Sequence, residues 1–266
     1  MLILAAPLPI QLIRRVHPYY ATKRSKCCLF SRCALLLLSM AALAGCGGSS
    51  SVSDQPMETS GSIPVQPPPS SPNQFSMFGY TWAKHASKAP GGGTFSHQNA
   101  GVSGAEILLT LHEDSSGSDG AEIATVTPLS YGTYTFTYWQ DQVLTGSIAS
   151  GFSYLKNSET EIDVEQQGQY PFRWDFTNWT SVNTKETSFA DGYDAAIPHT
   201  IQYVWEPGQI RWYIDGQQVA AHTKDVPSQE APFLFNFWGT NKNTWGGSAT
   251  PGIRHMIITK FSYQPM

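Results

Sequence analysis

Beyond residue 46 the chain contains no cysteine; its four thiols are Cys27, Cys28, Cys33 and Cys46. A disulfide, a thiolate metal site and a cysteine nucleophile are therefore excluded from the rest of the sequence. Charge is scarce as well: Asp, Glu, Lys and Arg make up 14% of the 266 residues, and the formal net charge is −4. That balance lacks the positive field a nucleic-acid binder needs, so no nucleic-acid partner is expected. Helical periodicity is missing over any window of about 20 residues, and no repeat of fixed period is present. Catalytic signatures are sparse too. Gly91-Gly92-Gly93 is not followed by Lys-Ser or Lys-Thr, and no Gly-x-Ser-x-Gly elbow exists. None of the seven histidines has metal-motif spacing; His112-Glu113 lacks a second His four residues on.

The longest apolar run, Ala34 to Leu43, is too short to span a bilayer, which takes about 20 residues. It follows scattered basic residues from Arg14 to Arg32 and ends in Ala44-Gly45-Cys46. A basic region, a short apolar region and small residues at a cleavage point make a secretory signal. Leu43-Ala44-Gly45-Cys46 also resembles the lipobox of bacterial lipoproteins. That resemblance implies a signal over residues 1–46, lipidation at Cys46 and membrane partnership through the lipid. It places the protein in the bacterial cell envelope, facing periplasm or exterior. Residues 47–72, with Gly47-Gly48-Ser49-Ser50-Ser51 and Pro67-Pro68-Pro69, have the composition of a tether.

What remains is rich in aromatics: 8 Trp, 12 Tyr and 13 Phe in the chain, with 41% hydrophobic residues. From about Phe75, short segments of Val, Ile, Thr, Tyr, Phe and Trp alternate with Gly, Pro and Asn clusters. Ser116 to Gly120, Glu206-Pro207-Gly208 and Asp215-Gly216 read as turns, the last as a tight hairpin. The spacing predicts an all-β fold over residues 73–266, a sandwich of two sheets. A monomer is expected.

Within it one segment stands apart: Glu161-Ile162-Asp163-Val164-Glu165. Successive side chains of a strand point to opposite faces, so the three acids share one face and Ile162 and Val164 the other. Three ionised carboxylates in a row repel. Glycoside hydrolysis uses such crowding, with one acid kept protonated and another ionised. Glu161 and Glu165 lie about 13 Å apart at Cα along a straight strand, whereas a retaining enzyme holds its two carboxyls about 5–5.5 Å apart. That chemistry therefore asks for a concave sheet with this strand near its centre. A solvated acidic strand face is the alternative on spacing alone.

The acid segment resembles the signature of glycoside hydrolase family 16, the laminarinase, lichenase and xyloglucan-transglycosylase family. It fits the short form, without an extra residue before the last Glu. Trp82 to Ala86, Gly91 to Phe95, Ala121-Glu122-Ile123, Tyr131 to Tyr134, Thr145 to Phe152, Trp205 to Gly216 and Asn236-Phe237-Trp238 resemble further family segments in the same order. The likeness runs from Phe75 to Tyr263. It implies a concanavalin-like jelly-roll β-sandwich of two curved antiparallel sheets, acting on an internal β-linkage of a β-glucan-type polysaccharide. Glu161 would be the nucleophile, Glu165 the general acid/base and Asp163 an assisting group between them. Trp174, Trp179, Trp238 and Trp245 would be candidates to stack sugar rings, and Glu122 and Asn236 to contact hydroxyls. Trp205 and Trp212 sit where a supporting hairpin would put them in the core. No cofactor is required, and a structural calcium on the convex face is left open.

Departures from the lichenase pattern are Thr160 before the first acid, Gln166-Gln167-Gly168 after the last, Ala124 in place of an Arg, and the missing disulfide. They leave the trio whole and the preferred glucan unassigned. A carbohydrate-binding or transglycosylating protein on the same fold is the second hypothesis.

Overall fold

The computed structural model describes residues 62–240 and 245–266. The signal, Cys46 and most of the tether lie outside the described residues. Residues 62–70 carry neither helix nor strand.

Seventeen strands follow among the described residues. The first five are short: β1 (Gln74–Met77), β2 (Tyr80–Lys84), β3 (Ser87–Lys88), β4 (Thr94–Phe95) and β5 (Ala100–Ser103). Then come β6 (Glu106–Asp114), β7 (Gly117–Thr125), β8 (Gly132–Gln140), β9 (Ser147–Leu155), β10 (Thr160–Gln167) and β11 (Arg173–Ser181). The chain closes with β12 (Thr184–Asp191), β13 (His199–Glu206), β14 (Gln209–Ile214), β15 (Gln217–His222), β16 (Phe233–Gly239) and β17 (Gly252–Pro265).

They form two curved sheets, matching the jelly-roll expectation. The first runs β1-β2-β7-β16-β9-β10-β11-β12. The second runs β5-β6-β17-β8-β13-β14-β15. Strand β7 belongs to both: its start pairs with β6, and its later residues pair with β16 and β2. Pairing is antiparallel apart from a short parallel contact of β4 with β7.

The core lies between the sheets. Ile162, Val164, Trp174, Phe176, Phe233 and Phe235 meet Tyr134, Phe136, Tyr138, Tyr203, Trp205 and Trp212, all fully buried. Burying one such Phe stabilises the fold by roughly 1.5–3 kcal/mol. The Ser153 hydroxyl and the Tyr203 phenol share a 2.6 Å hydrogen bond from one sheet to the other. The β14–β15 hairpin turns on Asp215 (φ 50°) and Gly216 (φ 81°), the two left-handed positions this turn demands.

One expected turn is shorter than read. The β6–β7 turn is confined to residues 115 and 116, and Gly117 to Gly120 lie in β7. Gly120 is needed for contact instead: a Cβ there would sit 2.2 Å from the Phe237 carbonyl oxygen of β16.

Candidate active site

Strand β10 pairs with β9 and β11 without a bulge along the acid segment. Alternation is therefore intact. Ile162 and Val164 enter the core, while Glu161, Asp163 and Glu165 line the floor of a cleft of about 830 Å³ on the outer face of the first sheet. β7, β16 and β9 carry the cleft on one side of β10, β11 and β12 on the other. At about 4.8 Å per strand the cleft extends roughly 10–14 Å either way from the acids.

Register aligns the cleft side chains in rows. One row reads Glu122, Asn236, Ser150, Glu165, Asp175, Phe189. Asp163 lies between Phe152 and Thr177, and Glu161 between Tyr154 and Trp179.

Environment separates the three acids. Asp163 is buried, and desolvation, then its neighbours Glu161 and Glu165, hold its carboxyl well above the usual range. The Trp179 indole N–H donates to its Oδ2 at 3.0 Å. Glu165 is pushed up to about 8, first by desolvation, then by Asp175 and Glu161. Glu161 is also raised by desolvation, but the Ser158 hydroxyl and Lys185 act against the rise. Asn157 (φ 62°) and Ser158 (φ 56°) form a left-handed kink just before β10 that turns Ser158 into the cleft. Asp163 and Glu165 thus hold their protons more firmly than free carboxyls do, and Glu161 is the one of the three whose rise is opposed by a hydrogen bond and a nearby cation.

Other expected contacts divide by strand parity. Trp179 lies on the cleft face, with the Lys185 ammonium 4.5 Å from its ring centroid. Trp174 does not: five residues from Trp179, it points to the opposite side of β11. It is 0% exposed, and its indole N–H donates to the Tyr193 carbonyl at 3.1 Å. The expectation that Trp174 stacks a sugar is corrected: it is a core residue. Trp238 lines the cleft wall and packs 5.8 Å from Trp245, which is 41% exposed. Glu122 is fixed at both oxygens: the His85 Nδ1 lies 2.8 Å from Oε1, and the Asn236 amide donates to Oε2 at 3.2 Å. The Asn236 Oδ1 and the Ser150 hydroxyl are buried against the same cleft without a protein partner among the described residues. Such atoms are available to a hydroxyl-rich ligand.

Three contributors escaped the sequence reading: Lys185, Arg173 and Asp175. Arg173 donates from Nε to Asp175 Oδ1 at 2.7 Å, and its guanidinium lies 4.8 Å from the Tyr170 ring and 4.7 Å from the Phe189 ring. The Gln167 amide also donates to Asp175, while its Oε1 accepts the Gly246 N–H at 3.1 Å. Gln167 thereby joins Asp175 to the loop that carries Trp245. Gly168 follows because a Cβ there would fall 1.8 Å from the Leu144 carbonyl oxygen. The Gln-Gln-Gly departure is thus structural. Among the described residues no group of three or more His, Cys, Asp or Glu is arranged to hold a metal ion.

Comparison with known proteins bears on the family and the fold. Residues 81–252 match the sequence profile of Glycosyl hydrolases family 16. A beta-glucanase of Bacillus amyloliquefaciens is 35% identical over 111 residues, 39% of this chain and 46% of that protein. One of Paenibacillus macerans is 31% identical over 137 residues, 49% of this chain and 57% of that protein. The chain thus spans about half the length of these relatives. The solved Bacillus licheniformis beta-glucanase superposes with a TM-score of 0.64 at 23% identity, covering 70% of this chain and 92% of that one. The catalytic domain of a Thermotoga petrophila laminarinase gives 0.60 at 17%, covering 73% and 92%. These two likenesses speak for the fold.

Proposed function

Because the chain belongs to glycosyl hydrolases family 16, we propose that it is a retaining endo-acting glycosidase that cleaves internal β-linkages of a β-glucan. The observation that carries this reading is the acid strand itself: three carboxyls on one face, with unequal proton affinity, in mid-cleft. Glu161 attacks the anomeric carbon as Glu165 gives its proton to the departing glycosidic oxygen. A glycosyl-Glu161 ester results. Glu165, now ionised, takes a proton from water as that water attacks the anomeric carbon and displaces the Glu161 carboxylate, and the β-configuration is restored. Asp163, held by Trp179, keeps a proton between the two and spares the floor a third negative charge. Cleft on both sides of the acids supports internal cleavage, since the chain can run past them in each direction. The solved relatives are described as a lichenase, a beta-glucanase and a laminarinase, which supports a β-glucan as substrate.

The test is incubation of the purified protein with laminarin, lichenan and xyloglucan. Reducing ends are expected from at least one of them, with the β-anomer formed first by proton NMR. Binding to all three without release of reducing ends would leave a carbohydrate-binding protein instead.

We further propose that Cys46 carries a lipid that anchors this activity to the cell envelope. The Cys46→Ser variant is expected to leave the membrane fraction, and unchanged fractionation would remove the anchor.

A further inference from the structure

We propose that Asp175 is a positioning residue for this reaction: a fixed negative charge facing Glu165 that keeps the proton on the acid and so sets the upper pH limit of turnover. The inference rests on reading Glu165 as the general acid/base.

The geometry begins with register. Asp175 on β11 stands directly across from Glu165 on β10, on the same face. Such cross-strand neighbours have Cβ atoms about 4.5–5.5 Å apart. Carboxyls on facing positions compete for ionisation, and the one better supported as an anion keeps its charge. Asp175 is the supported one. Though only 5% exposed, it receives Arg173 Nε at 2.7 Å, a second Arg173 nitrogen at 3.3 Å and the Gln167 amide. Hydrogen bonds to the charged form favour that form. Among the described residues no donor reaches Glu165.

The support is also held still. Arg173 is sandwiched between the Tyr170 and Phe189 rings, and Gln167 is tied to Gly246. Asp175 therefore has little freedom to turn away when Glu165 changes charge.

The other groups facing Glu165 do not replace this effect. Glu161 and Asp163 lie along its own strand, and Ser150 on β9 is neutral. Lys185 on β12 acts in the opposite direction, and Tyr138 lies beneath the sheet with its phenol donating to the Ala149 carbonyl. After desolvation, Asp175 is the largest cause of the rise of Glu165 to about 8. It is not among the causes acting on Glu161.

That asymmetry gives a test a merely structural residue would not pass. Glu165 must be protonated for the first step, so turnover of the wild type falls as pH rises through its raised value. Glu161 must be ionised, so turnover also falls toward acid. In Asp175→Asn the alkaline limb of kcat/KM against pH is expected to move down by about one unit, with the acid limb in place. Asp175→Glu, which restores a charge, is expected to recover much of the limb. Asp175→Ser repeats the neutral replacement with different packing. An alkaline limb unmoved in both neutral variants would overturn the proposal. So would loss of folding in both by circular dichroism, which would assign Asp175 to the scaffold. Failure of the underlying reading looks different: the wild type would release no reducing ends, or Glu165→Gln would keep its turnover.

Discussion

Glu161→Gln is expected to lower hydrolysis by about 10⁴-fold or more while polysaccharide still binds. Gln has nearly the shape of Glu but no anion with which to attack an anomeric carbon, so the covalent intermediate does not form. Position is preserved, because the backbone bonds of β10 to β9 and β11 hold residue 161 whatever its side chain. Initial rates of reducing-end release report the loss, and titration calorimetry with a non-turned-over oligosaccharide reports the binding. Full activity in this variant would move the nucleophile elsewhere.

Glu165→Gln should show a different signature. On polysaccharide the loss is expected to be about 10²–10⁴-fold, the span of a single acid/base group. On an aryl glycoside with an acidic phenol as leaving group, the first step needs no proton and should proceed nearly normally. The second step still needs a base to activate water, so a glycosyl-enzyme should accumulate. An initial burst of phenol followed by slow turnover, with the added mass of one glycosyl unit by intact-mass spectrometry, is the expected outcome. An equal loss on both substrates would remove the acid/base assignment.

Much of this site was legible before any coordinate. A three-acid alternation in a segment with β-branched partners says which side chains share a face, because period two is a property of the strand and not of its surroundings. The aromatic strands β8 and β13 were legible for the same reason, since Tyr, Phe, Val and Ile at alternate positions suit a half-buried pleat. Strand β12 was not. Thr184 to Asp191 is polar on both faces because it is a sheet edge, and nothing in Thr-Lys-Glu-Thr-Ser-Phe-Ala-Asp demands burial. Strand β7 was obscured by Gly117 and Gly120, of which Gly120 is present for close backbone contact with β16. Trp174 was recoverable: an odd separation from Trp179 already puts the two rings on opposite faces. Asp175 was not, because its place opposite Glu165 depends on register across the connection between β10 and β11, which sequence pattern leaves open.

The bulge-free alternation of β10 also bears on how faithfully the chain folds. Slipping β10 by one residue against its neighbours would turn Ile162 and Val164 out to water and drive Glu161, Asp163 and Glu165 in among Trp174, Phe176 and Tyr138. Each buried, unpaired carboxylate would cost several kcal/mol. Misthreaded sheets are thus the ones the acids penalise most, and the groups that would break a glycosidic bond also proofread the strand that carries them.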